Sequence, residues 1–485
     1  MTVRHDALFI DGRWVQPSTS ARTTALNATT EDVLGSSPES GVTDVDHAVA
    51  AARRAVSDSA WSTMSRADRA AAMHRFADEL EKRTSELTRT VSQENGMPIG
   101  LSEAFEGTFA IGLLRYYADL AVTMSDEEVR PSQSGLETVV RRSPVGVVAA
   151  IVPWNYPVVL AMSKIAPALA AGCAVVVKPS PPATVLDSYI MAEAVEAAEL
   201  PPGVINWVPG GPDIGAYLVA HRDVDKVAFT GSTSTGRTIA MACAGLLRPV
   251  TLELGGKSAA ILLDDVDLDA VMPNLQFIAF MNNGQTCVTC SRILVPASRY
   301  DEVVDALAAR VSALHVGDPL DRSTDIGPMA TSAHRERVEG FIEKGKGEAR
   351  LVVGGGRPDG LHRGWFVEPT LFACESNDVS IAQEEIFGPV LAVIPYRDEA
   401  DAVRIANDTP YGLGGTVFSA DTERAKDVAH RVHTGTIGVN GYPLAIGSPF
   451  GGVKASGIGR EFGPEALNSY QELKSMYIAA PTESS

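Results

Sequence analysis

Between Gly146 and Gly236 the chain alternates short apolar runs with amphipathic stretches, and this alternation constrains its fold more than any other feature. Gly146 to Val152, Cys173 to Lys178, Val204 to Val208 and Lys226 to Thr230 read as buried strands. Pro157 to Ala171, Thr184 to Glu199, a short stretch after Pro212 and a stretch from about Gly236 read as helices. Strand and helix in strict alternation predict a parallel sheet with helices on both faces, the doubly wound α/β class. Ligands of such sheets bind beyond the carboxyl ends of the strands. A second alternating region runs from about Ser258 to Tyr442, with strands at Ala259 to Leu263, Arg292 to Val295, Val390 to Pro395 and Thr416 to Phe418. Helices at Tyr300 to Leu314 and Ala400 to Asn407 lie between them. A chain of 485 residues is too long for one hydrophobic core, so two or three domains are expected, and the two alternating regions read as two doubly wound open-sheet domains.

Before the first sheet, two long amphipathic helices are predicted. Thr43 reads as the N-cap of one, with Val45, Val49, Ala52 and Val56 on a single face. Ser65 reads as the N-cap of the other, which carries Met73, Phe76, Leu80, Leu87 and Val91 and stops at Asn95-Gly96. Glu127 to Arg142 is polar and alternating, like an exposed hairpin, and Leu473 to Ala479 reads as an apolar strand. Neither has an obvious place in either domain. Such edge strands often pair with another subunit, so the two form a small β oligomerisation element in a homodimer or homotetramer. Pro481 to Ser485 reads as disordered.

The formal net charge of −19 repels phosphate backbones and anionic lipid, which argues against nucleic-acid and membrane partners. No apolar run is long enough to span a bilayer, and Met1 to Trp14 lacks the apolar core of a signal peptide. The five cysteines, Cys173, Cys243, Cys287, Cys290 and Cys374, are an odd and sparse set that fits a reducing cytoplasm.

Chemistry enters with two short motifs. Gly284-Gln285-Thr286-Cys287-Val288 offers a thiol among small and polar residues. Thr251-Leu252-Glu253-Leu254-Gly255-Gly256-Lys257 offers a carboxylate at the end of an apolar strand, followed by a Gly-Gly turn. A single Cys in an apolar stretch is usually inert packing. A thiol and a carboxylate sharing one cleft can instead run covalent chemistry on a carbonyl, the first as nucleophile and the second as base for water. The apolar neighbours Leu252 and Leu254 favour a raised pKa at Glu253, and a nucleophilic Cys287 requires a site that favours thiolate.

Phe229-Thr230-Gly231-Ser232-Thr233-Ser234-Thr235-Gly236-Arg237-Thr238 is a Gly-rich turn between strand and helix, where free amides and the helix dipole favour a phosphate. It lacks the middle Gly of the dinucleotide fingerprint. It also approaches a P-loop, with Arg237 in place of Lys and Ala260 to Asp265 resembling an acidic partner strand. A nucleotide triphosphatase is therefore the rival reading, although Arg is a poor substitute for that Lys and the reading leaves Cys287 and Glu253 idle.

The ordered set Pro153-Trp154-Asn155-Tyr156-Pro157, Lys178-Pro179-Ser180, Phe229-Thr230-Gly231-Ser232, Glu253 to Lys257, Gly284 to Cys287, Glu384-Glu385-Ile386-Phe387-Gly388-Pro389 and Pro449-Phe450-Gly451-Gly452-Val453-Lys454 resembles the NAD(P)-dependent aldehyde dehydrogenase superfamily. The resemblance runs from about Phe9 to about Tyr477. It implies a Rossmann-like coenzyme domain at residues 1–125 and 145–252, a catalytic domain at 253–465, and oligomerisation segments at 126–144 and 466–485. It implies that Cys287 attacks an aldehyde to give a thiohemiacetal, that hydride passes to the nicotinamide, and that Glu253 activates water to hydrolyse the thioester. The Asn155 amide and the Cys287 N–H would hold the oxyanion, and Glu461 would relay protons. Trp154, Lys178, Ser180, Gly231, Ser232, Gly236, Glu385 and Phe387 would contact the coenzyme, and no metal is implied. A catalytically dead relative acting as a binding protein would have lost the Cys, the Glu or the Asn, and all three are present.

The resemblance also places Tyr156, Leu160, Met281, Val288, Leu444 and Phe450 around a tunnel to Cys287. That set has no Arg or Lys, so medium-chain aliphatic, terpenoid or aromatic aldehydes are expected rather than semialdehydes of dicarboxylic acids. Many NAD-preferring members carry Glu three residues after the Lys matching Lys178, and here that position is Pro181. NAD is expected as coenzyme, with NADP as a weaker one, because the element that repels a 2′-phosphate is missing and no second cation is in sight to reward it.

Overall fold

The computed structural model describes residues 3–131 and 137–479. Two open sheets form its centre. The first has the strand order Ile205–Trp207, Ala174–Lys178, Val147–Ile151, Lys226–Thr230, Val250–Glu253, Gly457–Ile458. All pairs are parallel except the last, which is antiparallel. The Val- and Ala-rich inner strands are buried on both faces, as parallel strands covered by helices must be. From Val147–Ile151 the chain winds outward to Ala174–Lys178 and Ile205–Trp207, then returns to the other side at Lys226–Thr230. The loops after Val147–Ile151 and Lys226–Thr230 therefore flank a topological switch point, where a crevice opens. They carry Trp154 and Asn155 on one side and Gly231 and Ser232 on the other.

The second sheet has the order Arg350–Val353, Thr370–Ala373, Val390–Tyr396, Arg292–Pro296, Ala259–Leu262, Gly415–Phe418, Gly438–Val439, parallel except at Arg350–Val353. Only residues 254–258 separate Glu253, at the carboxyl end of a first-sheet strand, from Ala259, at the start of a second-sheet strand. Cys287 and Glu385 likewise shortly precede the second-sheet strands Arg292–Pro296 and Val390–Tyr396. The cleft thus faces the carboxyl ends of one sheet and the amino ends of the other.

The helix Pro157–Ala171 starts with Pro at its first turn and ends on left-handed Gly172. Its first free amides, those of Val158 and Val159, donate to Glu106 Oε2 at 2.7 and 3.2 Å. Glu106 is fully buried within a π-helical turn, Glu103–Phe109, and burial pushes its carboxyl up to about 8.

Several expectations need correction. The first helix is Val42–Ser57 with Gly41 at the cap, so Thr43 lies inside it; the Asp44 carboxylate folds back to accept from the Gly41 amide at 2.8 Å. Ser65 does cap the next helix, but that helix ends at Lys82, and Arg83 divides it from Thr84–Asn95. The span 253–465 sends one short strand back to the other sheet. Gly457–Ile458 returns to the first sheet, and Phe450 pairs with Glu461 in a bridge beside it. Glu127–Pro131 and Glu137–Pro144 do form an exposed hairpin, but Gln471–Ile478 pairs antiparallel with Glu137–Pro144 of its own chain. The resulting three-stranded sheet stands apart, with both outer strands unpaired among the described residues. The turn at residues 132–136 and the tail at 480–485 lie outside the described residues. Among the described residues no helix is long and apolar enough to cross a membrane.

Candidate active site

The loop before Cys287 is built from three consecutive left-handed residues, Asn282 (φ 52°), Asn283 (φ 60°) and Gly284 (φ 76°). Asn tolerates this region at some cost and Gly at none. Side-chain amides hold the strain in place. Asn282 Nδ2 donates to the Asn155 carbonyl at 2.9 Å, and Asn283 Nδ2 to the Gly96 carbonyl at 2.8 Å. Asn283 Oδ1 accepts from the Gly327 amide at 2.7 Å. Gln285 donates to the Asn95 carbonyl at 3.2 Å and accepts from the Ala330 amide at 2.9 Å. Gly284 has a second reason to be Gly, since a Cβ there would strike the Gly388 carbonyl.

This scaffold joins Cys287 to Asn155. Asn155 Nδ2 donates one hydrogen to the Gln285 carbonyl at 3.0 Å, which leaves its other hydrogen for a further acceptor. The amides of Cys287 and Val288 turn toward the Cys287 sulfur. The Tyr156 hydroxyl pairs with Thr286 Oγ1 at 2.9 Å. The thiol itself departs from expectation. Burial, and then the charges of Glu385 and Glu253, push its pKa up, so the protein alone holds Cys287 as a thiol. Thiolate forms only when a base takes the proton.

Glu253 is one of the two carboxylates whose charge reaches the thiol. It is 3% exposed, and among the described residues neither carboxylate oxygen has a hydrogen-bond partner. Burial and the neighbouring Glu461 raise its pKa well above the carboxylate range, as its apolar flanks predict. Glu461 is fixed by a cation the sequence did not reveal. Lys164 Nζ donates to Glu461 Oε1 and to Thr230 Oγ1, each at 2.7 Å, and Ser163 Oγ donates to Glu461 Oε2 at 2.9 Å. Lys164 sits in the otherwise apolar helix Pro157–Ala171, where its spacing reads only as burial. The Gly-Gly turn after Glu253 gives close approach: a Cβ on Gly255 would strike the Glu385 carboxylate, and one on Gly256 the Cys287 carbonyl.

Glu385 lies across that turn, with Oε1 accepting from the Gly256 amide at 2.9 Å. The helix Ser332–Lys346 clamps the loop that carries it. Arg337 donates to the Glu385 carbonyl at 2.7 Å and to the Ile386 carbonyl at 2.5 Å. His334 Nε2 bonds the Phe387 carbonyl at 2.7 Å, and since a carbonyl only accepts, that nitrogen carries the proton. Burial lowers the His334 pKa to about 4, so the ring is neutral. Its ring, Trp154 and Phe387 meet edge-on, with centroids 5.1 to 5.9 Å apart. His334 was not legible in the sequence, because its helix has a weak apolar face.

The other expected coenzyme residues fall at the crevice. Lys178 ends the strand Ala174–Lys178, and its ammonium donates to the Pro179 carbonyl at 3.0 Å. Ser180 Oγ donates to the Val152 carbonyl at 2.6 Å. Ser232 caps the helix Thr233–Gly245, accepting from the Thr235 amide at 3.3 Å, and the amides of Thr233 and Ser234 are left without intrahelical acceptors. Gly231 and Gly236 have packing reasons to be Gly. A Cβ on Gly231 would lie 2.5 Å from the Phe229 ring, and one on Gly236 would strike Leu254. The triphosphatase reading fails on topology: Ala259–Leu262, the supposed partner strand, belongs to the other sheet.

Toward the outside, Tyr442, Leu444, Pro449, Phe450 and Phe462 line a cavity of about 370 Å³ whose walls carry no charged side chain. Phe462 meets Phe450 at a tilt and Phe109 edge-on, with centroids 5.5 and 5.6 Å apart, and Phe105 meets Tyr156 edge-on at 5.7 Å. Tyr156, Leu160, Met281 and Val288 are buried beside this wall. Phe105, Phe109, Tyr442 and Phe462 complete it and were not anticipated.

A thiol beneath two amides, a buried carboxylate and an uncharged cavity nearby suit an enzyme that works on carbonyl carbon, and residues 14–476 match the aldehyde dehydrogenase family, to which the chain belongs. It is similar to geranial dehydrogenase of Castellaniella defragrans, with 59% identity over 99% of this chain and 100% of that one. Among solved structures it resembles the aldehyde dehydrogenase of Mycobacterium tuberculosis complexed with NAD+ (TM-score 0.97, 45% identity, all of both chains). It also resembles a mutant of aldehyde dehydrogenase C of Pseudomonas syringae complexed with NAD+ and octanal (TM-score 0.94, 39% identity, 99% of this chain and 98% of that one).

Proposed function

We propose that this enzyme oxidises apolar aldehydes, terpenoid and medium-chain aliphatic ones foremost, to carboxylic acids with NAD. The observation that carries the reading is that Cys287, whose thiol feels the charge of Glu253, packs into the same core as Leu444 and Phe450 of the uncharged cavity, while Asn155 bonds the Gln285 carbonyl of the same loop. Glu253, with its raised pKa, takes the thiol proton of Cys287. The sulfur forms a bond to the carbonyl carbon, and the oxyanion lies between the second Asn155 amide hydrogen and the Cys287 N–H. NAD, held by Lys178, the start of Thr233–Gly245 and Glu385, would supply the hydride acceptor needed to reach a thioester. Glu253 then deprotonates water, which adds to the acyl carbon, and the C–S bond breaks to return the thiolate. The buried Lys164–Glu461 pair sets the charge around Glu253, Glu461 raising its pKa and Lys164 lowering it.

The residues suit the coenzyme. Lys178 has ammonium hydrogens to spare and would take the ribose hydroxyls, the free amides at the start of Thr233–Gly245 would take the pyrophosphate, and Glu385, at the Gly256 amide, would hold the nicotinamide ribose. The relatives' names support the substrate class, through geranial for one and octanal for another. The exposed three-stranded sheet, with Leu473 at 65% and Tyr477 at 84% exposure, supports assembly into a homodimer or homotetramer. Five free cysteines support a reducing cytoplasm. The test follows NADH formation with geranial, hexanal, benzaldehyde and succinic semialdehyde. A kcat/KM for succinic semialdehyde above those of the three apolar aldehydes overturns the substrate reading, and no turnover with any of them overturns the reaction.

A further inference from the structure

Pro181 leaves open what, if anything, guards the adenosine ribose against a 2′-phosphate. The structure offers another acid at that place. Glu39 follows the strand Val33–Pro38 and is half-buried. Ser37 Oγ pairs with the Tyr189 hydroxyl at 2.8 Å, and the Ser40 amide donates to the Pro209 carbonyl at 2.7 Å. Tyr189 belongs to the helix that follows Ala174–Lys178, and Pro209 to the turn after its sheet neighbour Ile205–Trp207. These bonds stitch residues 37–40 beside the carboxyl end of the strand that Lys178 terminates. The same turn leads into Pro212–Ala220, whose Gly215 faces the Lys178 stem: a Cβ there would lie 3.5 Å from Lys178 Cε.

The polar groups here are arranged but incompletely satisfied. Glu39 Oε1 accepts from Thr23 Oγ1 at 2.5 Å, which orients the carboxylate and leaves Oε2 free. Ser40 Oγ is buried without a partner. Lys178 donates to the Pro179 carbonyl, and among the described residues neither it nor Glu39 is in an ion pair. Burial lowers the Lys178 pKa to about 8, and the one charge that opposes this fall is Glu39. Among the described residues no hydrogen bond joins the two side chains, although the Glu39 charge reaches Lys178.

We propose that Glu39 is the residue that selects NAD over NADP in this enzyme, its carboxylate accepting from the adenosine 2′-hydroxyl and repelling a 2′-phosphate. The inference rests on the reading that Lys178 holds the adenosine ribose. A 2′-hydroxyl can bridge, accepting from Lys178 and donating to Glu39. A 2′-phosphate has no proton to donate at neutral pH and brings about −1.5 to −2 charge against the carboxylate. The guard thus comes from the N-terminal strand rather than from the segment after Lys178.

Equilibrium binding of NADH and NADPH, read by quenching of tryptophan fluorescence, tests this without turnover. Glu39→Gln keeps an acceptor for Thr23 and removes the charge. It is expected to tighten NADPH and slightly weaken NADH, moving the ratio of their Kd values by about tenfold toward NADPH. Adding Pro181→Glu to that variant is expected to restore the ratio. A Glu39→Gln ratio within twofold of wild type overturns the proposal. Lys178→Met separates the two readings: weakening of both coenzymes supports the ribose assignment, whereas unchanged binding of both removes that assignment and the role of Glu39 with it.

Discussion

Breaking the Lys164–Glu461 pair from one side is expected to hurt more than removing it from both. The two groups lie 2.7 Å apart at 0% and 2% exposure, and Lys164 also bonds Thr230 and the Leu160 carbonyl. Removing one member of a buried pair leaves the other charged and uncompensated, at a cost of about 3–5 kcal/mol. Lys164→Met and Glu461→Gln should each fall in that range. The double variant loses both charges together and leaves only neutral groups such as Thr230 Oγ1 and Ser163 Oγ short of partners, at about 1–3 kcal/mol. The order is the decisive quantity: in urea titrations at neutral pH the double variant should unfold at higher denaturant than either single variant. A second reading follows from charge. Lys164 opposes the rise of the Glu253 pKa, so Lys164→Met should move the acid limb of the kcat–pH profile to higher pH. Additive losses, with the double variant the least stable, would refute the pairing argument. An unmoved acid limb would refute the link to Glu253.

Cys287→Ala should abolish aldehyde oxidation, whereas Glu253→Gln should give at most one slow burst of NADH and then stall as an acyl-enzyme visible by mass spectrometry; steady turnover by Glu253→Gln contradicts its role. Asn155→Ala should lower kcat by about a hundred- to a thousandfold, and a loss confined to KM would show that its amide serves only the Gln285 carbonyl. Glu106 has a folded-state pKa above its unfolded value, so its contribution to stability is full below about pH 4.5 and is lost as pH rises toward about 8. Glu106→Gln should therefore flatten the fall in melting temperature between pH 5 and 8, and an unchanged slope counts against this account. The assembled state should be a dimer or tetramer by light scattering, and a monomer at micromolar concentration contradicts it.

The inner strands of the first sheet were legible to within a residue or two, because apolar runs ended by Gly or Pro leave few alternatives: Lys226–Thr230 and Pro157–Ala171 fall where the sequence puts them. The N-terminal strands up to Val33–Pro38 were missed, since Arg22–Leu26 and Val33–Pro38 are short and carry Thr in the one and Gly and Ser in the other. The break at Arg83 carries no Gly or Pro to announce it. In the site, the motif residues were legible and their supports were not. Lys164 and Glu461 are 297 residues apart, and no local pattern links them. The expectation of a thiolate-favouring site failed because sequence shows the neighbours of Cys287 along the chain, not the two carboxylates that the fold brings near it.

The π-helical turn Glu103–Phe109 sets a boundary on how this enzyme can diverge. A π turn is wider than an α turn by about one residue. Deleting one residue there would restore α geometry and swing all that lies on one side of the deletion by about 100° around the axis. Glu106 would leave the start of Pro157–Ala171, and Phe105 and Phe109 would no longer both face Tyr156 and Phe462. Point substitutions in the turn can therefore reshape the tunnel wall while the reacting end keeps its frame, but a change in length alters both at once. Relatives that differ here by side chain should differ in aldehyde preference, and those that differ by length should need a new way to anchor the helix behind Asn155.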